Sequence, residues 1–256
     1  MSGSARTLAF LILAFSLLPG TGVSSSTPSE VKMMSVDAGG TPADPAVEVR
    51  TLEGVSLNAA VRRAISEEAF QTARMELTAT RNLRQDTFGA VAFTGNAGTE
   101  GSQIEVVLIP FPDKNNPEDK MGMMAVARSG RRTAVSYCVL ESAVTPSEFG
   151  AVGLEIPIDD PQGKKLWLWQ PDDASQESVI GTAQDDVVGT AQDSVTIPPA
   201  VKMYFKCAFK RAAAGCAACV GGCAGSLPTF PRCMASCCTI ALGEALLSCA
   251  AEMVID

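Results

Sequence analysis

Residues 207–249 read CAFKRAAAGCAACVGGCAGSLPTFPRCMASCCTIALGEALLSC. Cysteines stand at 207, 216, 219, 223, 233, 237, 238 and 249, leaving only Cys138 elsewhere in the chain. Alanine-rich stretches flank a turn-forming GSLPTFP at 225–231. Helices over Cys207–Cys223 and Arg232–Val254, folded back on each other around that turn, are therefore expected. In an antiparallel hairpin, facing residues have a nearly constant index sum. Cys223 with Cys233, Cys219 with Cys237 and Cys207 with Cys249 each sum to 456, and Cys216 with Cys238 sums to 454. All eight thus fit a nested ladder, one of many connectivities that eight cysteines allow. Cys216, Cys219 and Cys223 share a helix face, as do Cys233 and Cys237. Cys207 falls about 180° from Cys216 at about 100° per residue. The ladder therefore needs a break or rotation between them, for which Gly215 is the candidate.

The staples have an energetic purpose. A segment of this size buries too little surface to hold itself together, and a bridge commonly adds ~2–4 kcal/mol by restricting the unfolded chain. Two other chemistries share the pattern. Cys216-Ala-Ala-Cys219 has zinc-type spacing, and it also has the spacing of a redox dithiol. The reading adopted is disulfides, with no metal and no cofactor.

The oxidising compartment that disulfides require is consistent with the other end of the chain. Arg6 precedes an apolar run, Leu8–Leu18, which Pro19, Gly20 and small residues close. The run is about half the ~20 residues of a membrane span. Residues 1–24 are expected to be a signal peptide cleaved near Ser24, which makes the protein secreted. Residues 25–48, rich in Ser, Thr, Pro and Gly, read as a flexible arm.

Residues 49–170 read as an α+β domain: one long helix, then an antiparallel sheet. Ser56 is placed to cap a helix reaching about Leu83, with Leu57, Ala60, Val61, Ala64 and Ile65 at helical spacing. Strands are expected at Phe88–Thr94, Ile104–Ile109, Met121–Ala127, Thr133–Leu140, Val152–Ile158 and Leu166–Trp169. Residues 128–132, with Gly130, make a hairpin turn that exposes Arg131 and Arg132. Three octads follow: DASQESVI, GTAQDDVV and GTAQDSVT, at 173–196. Three such repeats are too few for a solenoid. Residues 171–199 read as an acidic linker open to proteolysis, and 200–256 as a separate stapled helical hairpin.

Charge and composition exclude several activities. The chain has no histidine and a formal net charge of −8. Histidine-based triads and His-metal sites are ruled out. Residues 25–196 carry 14 basic and 25 acidic side chains, a net of −11, whereas 197–256 carry 5 and 3, a net of +2. That distribution does not suit nucleic acid. Asp159–Asp160 and Asp172–Asp173 sit in loop-like sequence and read as solvated pairs. No phosphate loop or nucleophile elbow is present, so no enzymatic activity is expected. Lys202, Lys206, Lys210 and Arg211 gather at the start of the tail, beside apolar helices, where they suit contact with an anionic membrane surface. A self-contained module with no membrane activity has the same composition. Cys138 is left as a free thiol or as an intermolecular bridge that makes a dimer.

The stretch LNAAVRRAISEEAF (57–70), followed by VVLIPF (106–111), a polar linker and a Cys/Ala/Gly-rich tail, resembles secreted cysteine-rich bacteriocin precursors of the microhalocin type. That resemblance implies a C-terminal antimicrobial peptide and an N-terminal pro-region or immunity segment; the charge asymmetry fits it, with the net −11 body expected to hold the mildly basic tail in cis until cleavage. Its target is then the membrane or surface of competitor cells. The alternative is a secreted structural or adhesive protein whose stapled tail binds a surface without toxicity. A thiol oxidoreductase using Cys216 and Cys219 is the enzymatic rival.

Overall fold

In a computed structural model of the chain, residues 48–97, 102–145, 154–156, 158, 161–170 and 199–254 are described, with side chains omitted at 199–202 and 214. Strands β1 (Glu48–Thr51), β2 (Val91–Ala97), β3 (Ser102–Pro112), β4 (Lys120–Ser129), β5 (Arg132–Ala143), β6 (Leu154–Ile156) and β7 (Lys165–Trp169) form one antiparallel sheet. Their spatial order is β1-β2-β3-β4-β5-β7-β6. The long central strands pair in unbroken register, for example Ile109 with Met124 and Met123 with Cys138. Ser129 pairs with Arg132, so Gly130 and Arg131 alone make the turn. Gly130 takes φ +59°, a left-handed value that two-residue hairpin loops require and glycine adopts without strain. Arg131 and Arg132 are exposed there.

Alternate residues of the central strands enter two different cores. Val107, Ile109, Phe111, Met124, Val126, Val135 and Tyr137 pack with α1 (Gly54–Ser66) and α2 (Glu68–Ala79). Val106, Leu108, Met121, Met123, Ala125, Cys138 and Leu140 pack with the C-terminal helices. Both faces of the sheet are covered. This explains why VVLIPF and MGMMAVA are continuous apolar runs and not alternating ones.

The region expected to be one long helix is two. Glu67 breaks it with extended φ/ψ of −68° and 135°, and the Gln71 side-chain amide donates to the Ile65 carbonyl at 2.6 Å. That bond satisfies a carbonyl at the end of α1 that has lost its helical partner. Ser56 does not cap the helix: α1 begins at Gly54, and Ser56 lies in its first turn. β1 straddles the boundary expected between the arm (25–48) and the domain (49–170), and adds a strand not expected there from the sequence.

The cysteine-rich segment comprises α3 (Pro199–Cys223), a 3₁₀ turn (Leu227–Thr229), α4 (Phe230–Cys237) and α5 (Thr239–Val254). Pro199, expected to end the linker, instead opens α3, a position that suits proline because the first helical N–H needs no partner. Residues 171–198, with the octads and Asp172–Asp173, lie outside the described residues, as do the signal segment, residues 25–47 of the arm and Asp159–Asp160. Where the composition sets 200–256 apart as a domain, the structure places these helices on the sheet. The described residues between 48 and 254 belong to one compact unit, and the tail shares the larger of the two cores. Gly243 of α5 makes the approach close: a Cβ there would strike Val49 of β1 and lie 3.1 Å from Phe93 of β2.

Candidate functional site

The bridges are Cys207–Cys249, Cys216–Cys238, Cys219–Cys237 and Cys223–Cys233, the same pairs as in the nested ladder. Their Cα–Cα distances run from 5.6 to 6.1 Å, within the range that suits the bond. The phase conflict at Cys207 is resolved elsewhere than at Gly215. α3 runs unbroken through Gly215. The second arm breaks at Cys238, where φ −134° and ψ 49° leave the helical region, and its two helical halves are bent by 102°. Two bridges fasten α4 and a third fastens the break at Cys238 to one face of α3, and the bend swings α5 around so that Cys249 meets Cys207 on the other. Gly215 serves packing instead, since it allows α5 to lie against α3 at Ala241.

With Cys216 and Cys219 bonded to different partners, neither a reactive C-x-x-C dithiol nor a set of free thiolates exists in this state. Cys138 is the free cysteine. It lies in β5, fully buried, and burial pushes its thiol well above its ordinary pKa, opposed in part by a backbone hydrogen bond at Met123. A thiol so placed cannot reach a second chain unless the sheet opens, so a dimer through Cys138 does not fit the folded chain.

The four basic residues are dispersed in their roles. Arg211 pairs with Glu252 of α5 at 2.5 Å. Lys206 is half-buried, and its backbone N–H donates to Gln170 Oε1 at 3.3 Å. Lys210 is exposed. The side chain of Lys202 lies outside those described. Gln170 is itself buried, and its amide donates to Ser136 Oγ at 3.0 Å. It thus ties β5, the end of β7 and α3 together through polar groups that burial would otherwise penalise. Tyr204 of α3 is also fully buried and donates to the Leu246 carbonyl at 3.3 Å; burial holds its phenol well above the usual value. Arg132 Nη1 reaches the Val254 carbonyl at 3.4 Å. Apolar side chains of tail and sheet meet in one shared core.

Between the sheet and these helices lies an apolar cavity of about 250 Å³. Leu108, Met123, Phe205, Val220, Met234 and Leu246 are among its walls, with β6 along one side. Nothing in the sequence signals it, because its lining comes from six separate elements. No single helix among the described residues is long and apolar enough to cross a membrane; residues 227–254 reach that composition only as the bent pair. No known protein family matches the chain, and neither a curated protein nor a solved structure does.

Proposed function

We propose that the chain is a secreted bacteriocin-like precursor. Its C-terminal disulfide-rich peptide acts on the membranes of competitor cells, and the acidic N-terminal part serves as pro-region or immunity segment. One observation carries the reading. All four bridges close within residues 207–249, and the cysteine of the sheet takes part in none of them. A cut anywhere in 171–198 would therefore leave a covalently closed peptide attached to the rest by non-covalent contacts alone.

The packing supports a masking role for the N-terminal part. Leu246, Leu247, Ala250 and Met253 of α5 are buried, and release would expose apolar surface of this kind next to Lys206 and Lys210. Compact apolar helices with neighbouring cations suit an anionic membrane surface. The masking is mainly apolar: Arg211, one of the four cations, is neutralised within its own segment by Glu252. The excess negative charge of residues 25–196 adds a weaker, longer-range attraction. The signal-type segment at 1–24 and the disulfides agree with export.

The test is a chain carrying a specific-protease site inserted after Asp185. Uncut protein should leave anionic dye-loaded vesicles and a panel of bacteria intact. Cut protein should release dye and inhibit at least one strain. Cut protein that is inert on both overturns the reading; capture on cell surfaces without inhibition selects the adhesive alternative.

A further inference from the structure

The cavity has the chemistry of a site for a single acyl chain. Apart from Glu155 and Lys210, every described residue lining it is apolar. Glu155 is already engaged, its carboxylate 2.7 Å from Lys165 Nζ. Lys210 has no acidic partner among the described residues and is exposed to solvent. Lys210 both lines the cavity and is exposed, which matches the usual division of a lysine between an apolar stem against the wall and an ammonium in water. Partly open to solvent, the cavity thus pairs an apolar interior with one cation at its boundary that no acidic side chain among the described residues neutralises.

Its size sets the occupant. A cavity of about 250 Å³ exceeds the ~150 Å³ hole that stays dry and takes benzene, and at roughly 30 Å³ per heavy atom it holds about eight. That volume is too small for a peptide helix. The walls are also fixed in advance. Cys216, which lines the cavity, is bonded to Cys238 at the α4–α5 break, so little ordering is needed on binding.

We propose that this cavity binds a straight-chain carboxylate of about eight to ten carbons, with the chain inside and the carboxylate against Lys210 Nζ. The site needs neither cleavage of the linker nor any toxic activity, so it stands independently of the precursor reading.

Isothermal titration of the intact, oxidised protein with decanoate, hexanoate and 1-decanol tests it. Decanoate should bind saturably at one site per chain. Each methylene removed should weaken binding about four-fold. Lys210→Gln, an exposed substitution that leaves the fold intact, should weaken decanoate about three-fold and leave 1-decanol unchanged. Absence of saturable decanoate binding overturns the proposal. So does a Lys210→Gln effect on 1-decanol equal to that on decanoate, or hexanoate binding as tightly as decanoate.

Discussion

Gly215 in α3 faces Ala241 in α5 so closely that a Cβ at 215 would lie 2.7 Å from the Ala241 Cβ. The two helices touch there through backbone and a single methyl. A helical glycine costs about 1 kcal/mol relative to alanine, and this contact is what offsets it. Gly215→Val should destabilise the chain by about 1–3 kcal/mol through overpacking. Gly215→Ala combined with Ala241→Gly should recover stability relative to Gly215→Ala alone. Additive effects of the two substitutions in denaturant unfolding would show that the contact carries no coupling.

The same residue shows what was legible in the sequence. The cysteine ladder could be read because index sums in an antiparallel pair are set by geometry, whatever the helices do between bridges. The place of the break could not. Gly215 is the stronger local helix breaker, yet it serves as a contact, while Cys238, in a CCT sequence with no punctuation, takes the non-helical conformation. Tertiary closure of Cys207–Cys249 decides that, and no local signal reports it. The division at Glu67 is silent for a similar reason: ISEEAF has no Gly or Pro. The double-faced sheet was written in Val106–Phe111 and Met121–Ala127 as unbroken apolar runs. Its second covering layer lay beyond an acidic linker, which made the tail read as separate.

Cys138 should be chemically silent in the native protein. Its burial in β5 and its raised thiol pKa deny a reagent both access and thiolate. A maleimide should label nothing in buffer and one thiol per chain in denaturant without reductant. Native labelling would then be governed by opening of the sheet. Rapid labelling in buffer, or a dimer that reductant dissolves, would contradict this placement.

Removing the outermost bridge should loosen α5 selectively. With the three inner bridges intact, Cys207–Cys249 closes an effective loop of about twenty residues, for which chain entropy gives ~3 kcal/mol. The double variant Cys207→Ser/Cys249→Ser should lose about that much. Amides of α5 should exchange faster, while those of α4, held to α3 by the bridges at 233, 237 and 238, should change little. Uniform acceleration across α3, α4 and α5 would mean that the segment opens as one unit and that α5 has no separate fastening.

Asp119 gives the fold a specific acid sensitivity. Its carboxylate accepts from Lys164 Nζ at 2.8 Å and from Asn116 Nδ2 at 2.9 Å. The Lys164 hydrogen bond, followed by that of Asn116, holds its pKa below the ordinary 3.8, against a smaller opposing effect of burial. A carboxyl lowered on folding stabilises the native state fully above its unfolded pKa. That contribution disappears as pH falls through the lower folded value. The Lys164 pair is partly exposed, with side chains 30 % and 38 % accessible, so solvent screening limits its worth to about 1 kcal/mol or less. Asp119→Asn should therefore be less stable than the parent at pH ~7 by no more than that, and the two should converge at pH ~2. The backbone bond from Ser142 N–H to the Asp119 carbonyl at 2.8 Å survives the substitution, so the comparison isolates the carboxylate. A difference that persists undiminished at low pH would assign the loss to shape or packing and not to charge.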